Sequence, residues 1–299
     1  MGDRFIRFRP FGREEFRTRK TSWPLHIVLF LLTAVTTTIA GATIFVNKSF
    51  DGWLLFVLRG FYFSVPLMSI LLVHEMGHYL VARRRLLDVT PPYFIPAIPP
   101  LGTFGAFIKI RSAITNLRVL VEVGASGPIA GAIVAIPLLF VGLCLSEIHP
   151  ETSSNAPGFS FGSSVILELM CLIRFGEFST SATIIMHPTA VAAWFGLFVT
   201  AMNLLPIGQL DGGHVIYALF GPRGAQMVSF VVFCCLIPMG ILLWPGWLVF
   251  GILVLFLGLR HPPPLDAYTP LDRTGRIVGW TAVILFVLTF IPVPVSIIE

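Results

Sequence analysis

The chain has 299 residues, of which 56% are hydrophobic and only 12% charged, and its mean hydropathy is +0.87. Because about a quarter of the residues in a soluble domain are charged, this composition excludes an ordinary soluble enzyme and predicts a polytopic membrane protein. The formal net charge is +5, and seven Lys and Arg fall within the first twenty residues. No aromatic-interleaved or helix-turn-helix pattern follows them, so we predict no nucleic-acid partner.

Apolar runs long enough to cross a bilayer, about 20 residues each, follow one another along the chain. They cover residues 24–46, 53–82, 120–145, 190–220, 227–243, 247–259 and 277–297. The run 247–259 is the shortest and follows its predecessor after a Trp-Pro-Gly turn, so it either spans or forms a tight helical hairpin with that predecessor. The sequence therefore predicts an all-α polytopic membrane protein with six or seven transmembrane helices.

The segment between the second and third runs, residues 88–112, differs from the rest. It contains too many prolines for a helix and is too apolar for a solvent loop, and residues 103–111 are rich in aromatic and β-branched side chains. We expect a short membrane-associated β-hairpin region here. Non-helical backbone at membrane depth must be covered by protein or line a wet cavity, so this region should help to build one.

The distribution of basic residues predicts the topology. If the N-terminus is cytoplasmic and seven spans alternate, all of the twenty Lys and Arg except Lys48, Arg59 and Arg174 fall on the cytoplasmic side. We expect a basic cytoplasmic tail over 1–22, a catalytic membrane core over 23–220 and additional transmembrane helices over 221–299. The expected location is a bacterial cell membrane or an organellar membrane, with the functional site toward the cytoplasmic side.

The motif HEMGH, residues 74–78, lies inside the second apolar run. His74 and His78 are four residues apart, so a helix places them on one face, where both can bind one zinc ion. Glu75 is adjacent and can act as general base on a metal-bound water. Ionisable groups at membrane depth are costly and usually functional, which favours a catalytic zinc site.

A catalytic zinc site needs a third protein ligand, and Asp211 is one of the few acids at membrane depth. It lies in NLLPIGQLDGGH, residues 203–214, where Pro206 and three glycines interrupt a regular helix. By alternation, this segment and HEMGH lie at the same side of the membrane. Asp211 is thus either the third ligand or the capping residue of an interfacial turn, and we favour the ligand.

These motifs, together with GASGPIAG at 124–131 and the proline-rich segment 91–112, make the chain resemble the site-2 protease family of intramembrane zinc metalloproteases. The resemblance implies one Zn²⁺ ion held by His74, His78 and Asp211, with Glu75 as general base and acid. It also implies a strand edge that pairs with an unwound substrate. The substrate-binding residues so implied are Asn203, Phe104, Gly105, Ala106 and Phe107.

The function expected from this resemblance is hydrolysis of peptide bonds in or next to transmembrane segments, as in regulated intramembrane proteolysis. The partners expected are a transmembrane protein substrate, the lipid bilayer and a separate adaptor for substrate selection, because the chain has no PDZ or CBS module. The alternative is a catalytically idle scaffold or chaperone of the same fold.

Three features of the sequence leave alternatives open. His214 either orients Asp211 or is an ordinary interfacial histidine, and Cys144 and Cys171 either form a disulfide or remain free. Glu122 is expected to be a solvated or salt-bridged carboxylate, and GASGPIAG to permit close helix packing. We assign no chemistry to His261.

Overall fold

A computed structural model describes residues 22–45, 52–99, 101–150, 158–176 and 182–298. The predicted basic tail lies outside these residues apart from Ser22. The helices are α1 (Trp23–Phe45), α2 (Trp53–Arg84), α3 (Leu117–Cys144), α4 (Val165–Phe175), α5 (Pro188–Asn203), α6 (Asp211–Leu242), α7 (Gly246–Leu257) and α8 (Arg273–Thr289). The strands are β1 (Tyr93–Pro96), β2 (Thr103–Phe107), β3 (Glu147–Pro150), β4 (Gly158–Phe161), β5 (Ala182–Ile185) and β6 (Val295–Ile298).

Four of these helices, α1, α2, α3 and α6, are long and apolar enough to cross a membrane. They confirm a mostly helical, polytopic membrane protein, whereas the count of six or seven spans stays a prediction. Helix α3 occupies the centre, since it packs against α2, α5, α6 and α8. Its side chains Leu120, Val121 and Leu139 are fully buried.

The helix break predicted within the apolar run 190–220 is confirmed. Helix α5 ends at Asn203, a turn covers 204–210, and α6 begins at Asp211. Pro206 lacks a backbone donor, and Gly208 adopts a φ of +53°, which disfavours residues with a Cβ. The turn therefore ends one helix and starts another at the depth of the predicted Asp211 ligand.

Helix α6 itself reverses direction at Gly221, whose φ of 71° and ψ of −178° are not helical. Gly213 and Ser229 each lie eight residues from this break, so a continuous helix would hold them about 24 Å apart. Both nevertheless contact Gly208: the Ser229 hydroxyl accepts its N–H at 3.3 Å, and a Cβ on Gly213 would lie 2.2 Å from its carbonyl oxygen. We therefore divide α6 into a near segment, residues 211–220, and a far segment, residues 222–242, that fold back on each other.

Strands β1 and β2 pair antiparallel between α2 and α3, with Tyr93 opposite Phe107 and Phe94 opposite Ala106. Helix α1 holds this pair: the Thr36 hydroxyl donates to the Gly102 carbonyl at 2.6 Å. The membrane association of the pair stays a prediction. Strand β6 pairs with β4, so the run 277–297 is helical only as far as Thr289. Pro292 and Pro294 interrupt it.

Candidate metal centre

Helix α2 presents the HEMGH residues from an unbroken apolar segment. His74 and His78 lie one turn apart with ring centroids separated by 5.1 Å, and both are buried, as is Glu75. The i, i+4 spacing places the two imidazoles on one face. The helix thus supplies two adjacent nitrogen donors and a carboxylate at the same depth.

The α5–α6 turn brings Asp211 to these histidines. Its Oδ2 lies 3.5 Å from His74 Nε2 and 3.2 Å from His78 Nε2. Ligands bound at 2.0–2.1 Å in a tetrahedral site are separated from one another by about 3.3 Å, so these distances fit a zinc ion. Within the described residues, this is the one group of three His, Cys, Asp or Glu side chains with ligand atoms all within 4.8 Å of one another.

Two further groups lie next to the imidazoles, and one of them orients His78. His78 Nδ1 donates to the Val123 carbonyl oxygen at 2.7 Å, which fixes the tautomer and leaves Nε2 as the donor atom for a metal. The Asn203 amide nitrogen lies 3.3 Å from His74 Nε2. Each predicted ligand on α2 is therefore contacted by a group from a different element.

Glycines of GASGPIAG make room for these side chains on α3. A Cβ on Gly127 would lie 2.0 Å from His78 Nε2, and one on Gly131 would lie 3.1 Å from His74 Nδ1. A Cβ on Gly124 would lie 2.6 Å from that of His214. The expected close packing is confirmed, and it occurs directly over the metal-site residues.

A cavity of about 240 Å³ opens beside the group. Its walls include Glu75, Asn203, Gln209, Asp211, Ala106, Phe107 and Ile108. Ile108, the residue that follows β2, lines this cavity together with Glu75. The end of β2 and the predicted general base therefore face the same cavity.

The predicted substrate-binding residues do not all reach this cavity. Asn203, Ala106 and Phe107 line it. Phe104 is 80% exposed and outside the cavity wall. Gly105 is buried with a φ of +96° and is also outside the wall. Among the described residues, β2 pairs only with β1, so its other edge has no strand partner there.

Residues 62–243 match the family model described as Peptidase family M50. The chain belongs to peptidase family M50. This is the site-2 protease family, so the expected family is confirmed. No solved structure matches the chain.

Several curated relatives of this M50 chain are similar to it in sequence. Probable zinc metalloprotease EGY1, chloroplastic, from Arabidopsis thaliana is 34% identical over 232 residues, covering 76% of the chain and 42% of the relative. The protein of the same name from Oryza sativa subsp. japonica is 33% identical, covering 75% of the chain and 39% of the relative. Probable zinc metalloprotease EGY2, chloroplastic, from Oryza sativa subsp. indica is 31% identical over 57% of the chain and 31% of the relative. The chain thus matches less than half the length of these relatives.

Within the described residues of the M50 chain, His214 forms no hydrogen bond with Asp211. Its Nδ1 donates instead to the Leu210 carbonyl at 2.9 Å, the residue that precedes Asp211. The ring packs edge-on against His261, with centroids 4.6 Å apart. No role was assigned to His261 from the sequence, because 46 residues separate it from His214.

An ion-pair network that the sequence analysis missed joins three helices of the M50 fold. Arg85 donates to both Glu122 carboxylate oxygens at 2.6 and 2.5 Å. Arg118 donates to Glu122 at 3.0 Å and to Asp272 at 2.8 Å. The expectation that Glu122 is salt-bridged is confirmed. The i, i+4 spacing of Arg118 and Glu122 was a usable signal, whereas nothing in the sequence links Arg85 to Glu122.

The four cysteines, Cys144, Cys171, Cys234 and Cys235, are free. The disulfide left open by the sequence between Cys144 and Cys171 is therefore not formed in this structure.

Proposed function

We propose that the protein is an intramembrane zinc metalloprotease that hydrolyses peptide bonds in or next to transmembrane segments of membrane-protein substrates. The observation that carries this proposal is the meeting of Asp211 with His74 and His78 beside a cavity that also contains Glu75. Membership of peptidase family M50 and the zinc metalloprotease names of the relatives support it.

The proposed zinc ligands are His74 Nε2, His78 Nε2 and an Asp211 carboxylate oxygen. Three protein ligands leave a fourth tetrahedral position open, which is the arrangement of catalytic rather than structural zinc sites. When bound, zinc supplies Lewis acidity that activates water and polarises a peptide carbonyl.

Glu75 is the proposed general base and acid. Its position next to His74 on α2 and its place in the cavity wall allow it to reach the water that attacks the peptide bond. The Glu75 carboxylate takes a proton from that water and then donates it to the leaving amine.

The free edge of β2 is the proposed binding surface for the substrate backbone. A peptide bond inside a helix is shielded by its own hydrogen bonds, so the substrate segment must be extended before it can react. Strand addition to β2 would hold the substrate segment extended. It would also place that segment at the metal centre, because Ala106 and Phe107 line the cavity. We propose that Asn203, which also lines the cavity, holds the same substrate.

We also propose a membrane and a side of that membrane for the active site. The relatives are named as chloroplastic, which favours an organellar membrane over a bacterial one. A cytoplasmic-side active site still rests on the charge bias of the sequence. We also propose regulated intramembrane proteolysis and a separate adaptor for substrate selection, and membership of peptidase family M50 supports the former.

A cleavage assay on transmembrane peptides in detergent or vesicles tests the proposal. Substitution Glu75→Gln should lower kcat/KM by about 10²–10⁴-fold while zinc content stays unchanged. Glu168→Gln, which alters an exposed carboxylate on α4, is the matched control and should keep full activity. A zinc-loaded wild type that cleaves no peptide, or a Glu75→Gln variant that cleaves normally, would refute the proposed role.

A further inference from the structure

A second cavity, of about 180 Å³, lies between the two segments of α6 and residues 259–263. Its wall includes Tyr217, Pro222, Gln226, Ser229, Arg260 and His261. The contact between the His214 and His261 rings joins this wall to that of the metal cavity. Whereas Glu75 and Asp211 line the metal cavity, no acidic side chain lines the second one.

His261 indicates that the second cavity holds a polar group. Both of its ring nitrogens are buried, and neither has a hydrogen-bond partner in the described part of the chain. Buried polar atoms nearly always have a partner from protein, water or ligand. The cavity is the space from which such a partner can reach the ring.

The charge around the cavity favours an anion. Arg260 is exposed in its wall, and neither Arg260 nor Arg223 forms an ion pair within the described residues. The far segment of α6 begins with Pro222 in the wall, so the positive end of that helix dipole points to the same space. A guanidinium fork is well suited to phosphate oxygens. The volume would hold on the order of ten waters, enough for a polyatomic anion.

We propose that the cavity between the α6 reversal and the α7–α8 loop binds a phosphate group, with Arg260 and His261 as its principal donors. Two sources carry this chemistry, an anionic lipid headgroup and free phosphate. The lipid is favoured because Phe220 and Trp280 form an exposed aromatic pair, with centroids 6.0 Å apart, beside the reversal. Such pairs are typical of membrane–water interfaces. The far segment then offers exposed apolar residues such as Met227 to an acyl chain.

The test is native mass spectrometry of the purified full chain in detergent, titrated with phosphatidic acid, with phosphatidylcholine and with inorganic phosphate as competitor. The wild type should bind phosphatidic acid at least about tenfold more tightly than phosphatidylcholine. Arg260→Gln and His261→Phe should each weaken phosphatidic acid about tenfold, since a hydrogen bond to a charged group contributes about that much. Arg174→Gln, at the far end of α4, is the control and should not change affinity.

The two sources give different results. Binding of phosphatidic acid that millimolar phosphate does not displace supports the lipid headgroup, whereas competition by phosphate supports recognition of the free anion. Arg260 is exposed, so Arg260→Gln tests the site even if His261→Phe does not fold, and zinc content reports folding of each variant. Equal phosphatidic acid affinity in wild type, Arg260→Gln and the Arg174→Gln control would overturn the proposal.

Discussion

The two halves of the candidate metal centre are built in opposite ways. Helix α2 presents His74 and His78 by regular periodicity within 32 helical residues, so their spacing is set locally. Asp211 is presented by a turn between two helices, and its position depends on packing of the near segment of α6 against α3. The ligand pair is therefore encoded by helical spacing, whereas the third residue is encoded by helix breaks and by the glycines that allow close approach.

The largest expected effect is the loss of bound zinc in Gly127→Ala. It changes no proposed ligand, yet its Cβ would lie 2.0 Å from His78 Nε2, so we expect zinc content to fall by more than half. Gly131→Ala is the matched control, because its Cβ would lie 3.1 Å from the nearest His74 atom and a small shift can accommodate it. Elemental analysis of both purified variants measures the difference. Equal zinc in the two would show that α3 does not fix the position of His78.

A smaller effect should come from the ion pair that joins α2 to α3. Arg85→Gln removes the two-point contact with Glu122 and should destabilise the protein by about 1 kcal/mol, because the pair is only partly buried. The neighbouring exposed Arg84→Gln is the control. Denaturant unfolding in detergent measures both variants. If the two variants unfold at the same denaturant midpoint, the Arg85–Glu122 ion pair contributes nothing measurable to the stability of the protein.

The third effect concerns pH and His261, in the α7–α8 loop beside His214. Burial, together with the neighbouring His214, lowers the pKa of His261 to about 4. The unfolded chain therefore takes up a proton on this residue near its ordinary pKa of 6.5, while the folded chain does not until about pH 4. Stability is thus lost as the pH falls from about 6.5 toward 4.

The corresponding measurement is the Tm between pH 7 and pH 5 in phosphate-free buffer. The Tm of the wild type should fall more steeply than that of His261→Phe, which has no group to protonate there. Parallel curves for the two proteins would contradict this origin of the pH dependence.

The sequence predicted the residues that meet, and it did so because their signals are local. HEMGH has helical spacing, and Pro206 with Gly208 marks the break before Asp211. The break at Gly221 falls between the predicted runs 190–220 and 227–243, where Gly-Pro at 221–222 is a recognised breaker, whereas the approach of both segments to Gly208 was not predicted. The consequence of the break is that a 32-residue α6 contains only a 21-residue far segment of spanning length.

Contacts between distant segments could not be read from the sequence. The Arg85–Glu122 pair and the contact of His261 with His214 depend on how α2, α3 and the α7–α8 loop pack, and no periodicity specifies that packing. The placement of Phe104 outside the cavity depends on the twist and register of β1 and β2, which a list of β-favouring residues does not determine.

The central claim is that Asp211 completes a three-ligand zinc site with His74 and His78. Zinc content of purified Asp211→Ala, Glu75→Gln and Asp266→Asn, prepared without chelator, tests it most directly, with Asp266 as a partly exposed acid in the α7–α8 loop. We predict about one zinc per chain in the wild type, in Glu75→Gln and in Asp266→Asn, and loss of most of the zinc in Asp211→Ala. Full zinc in Asp211→Ala would show that the third ligand lies elsewhere and would contradict the account.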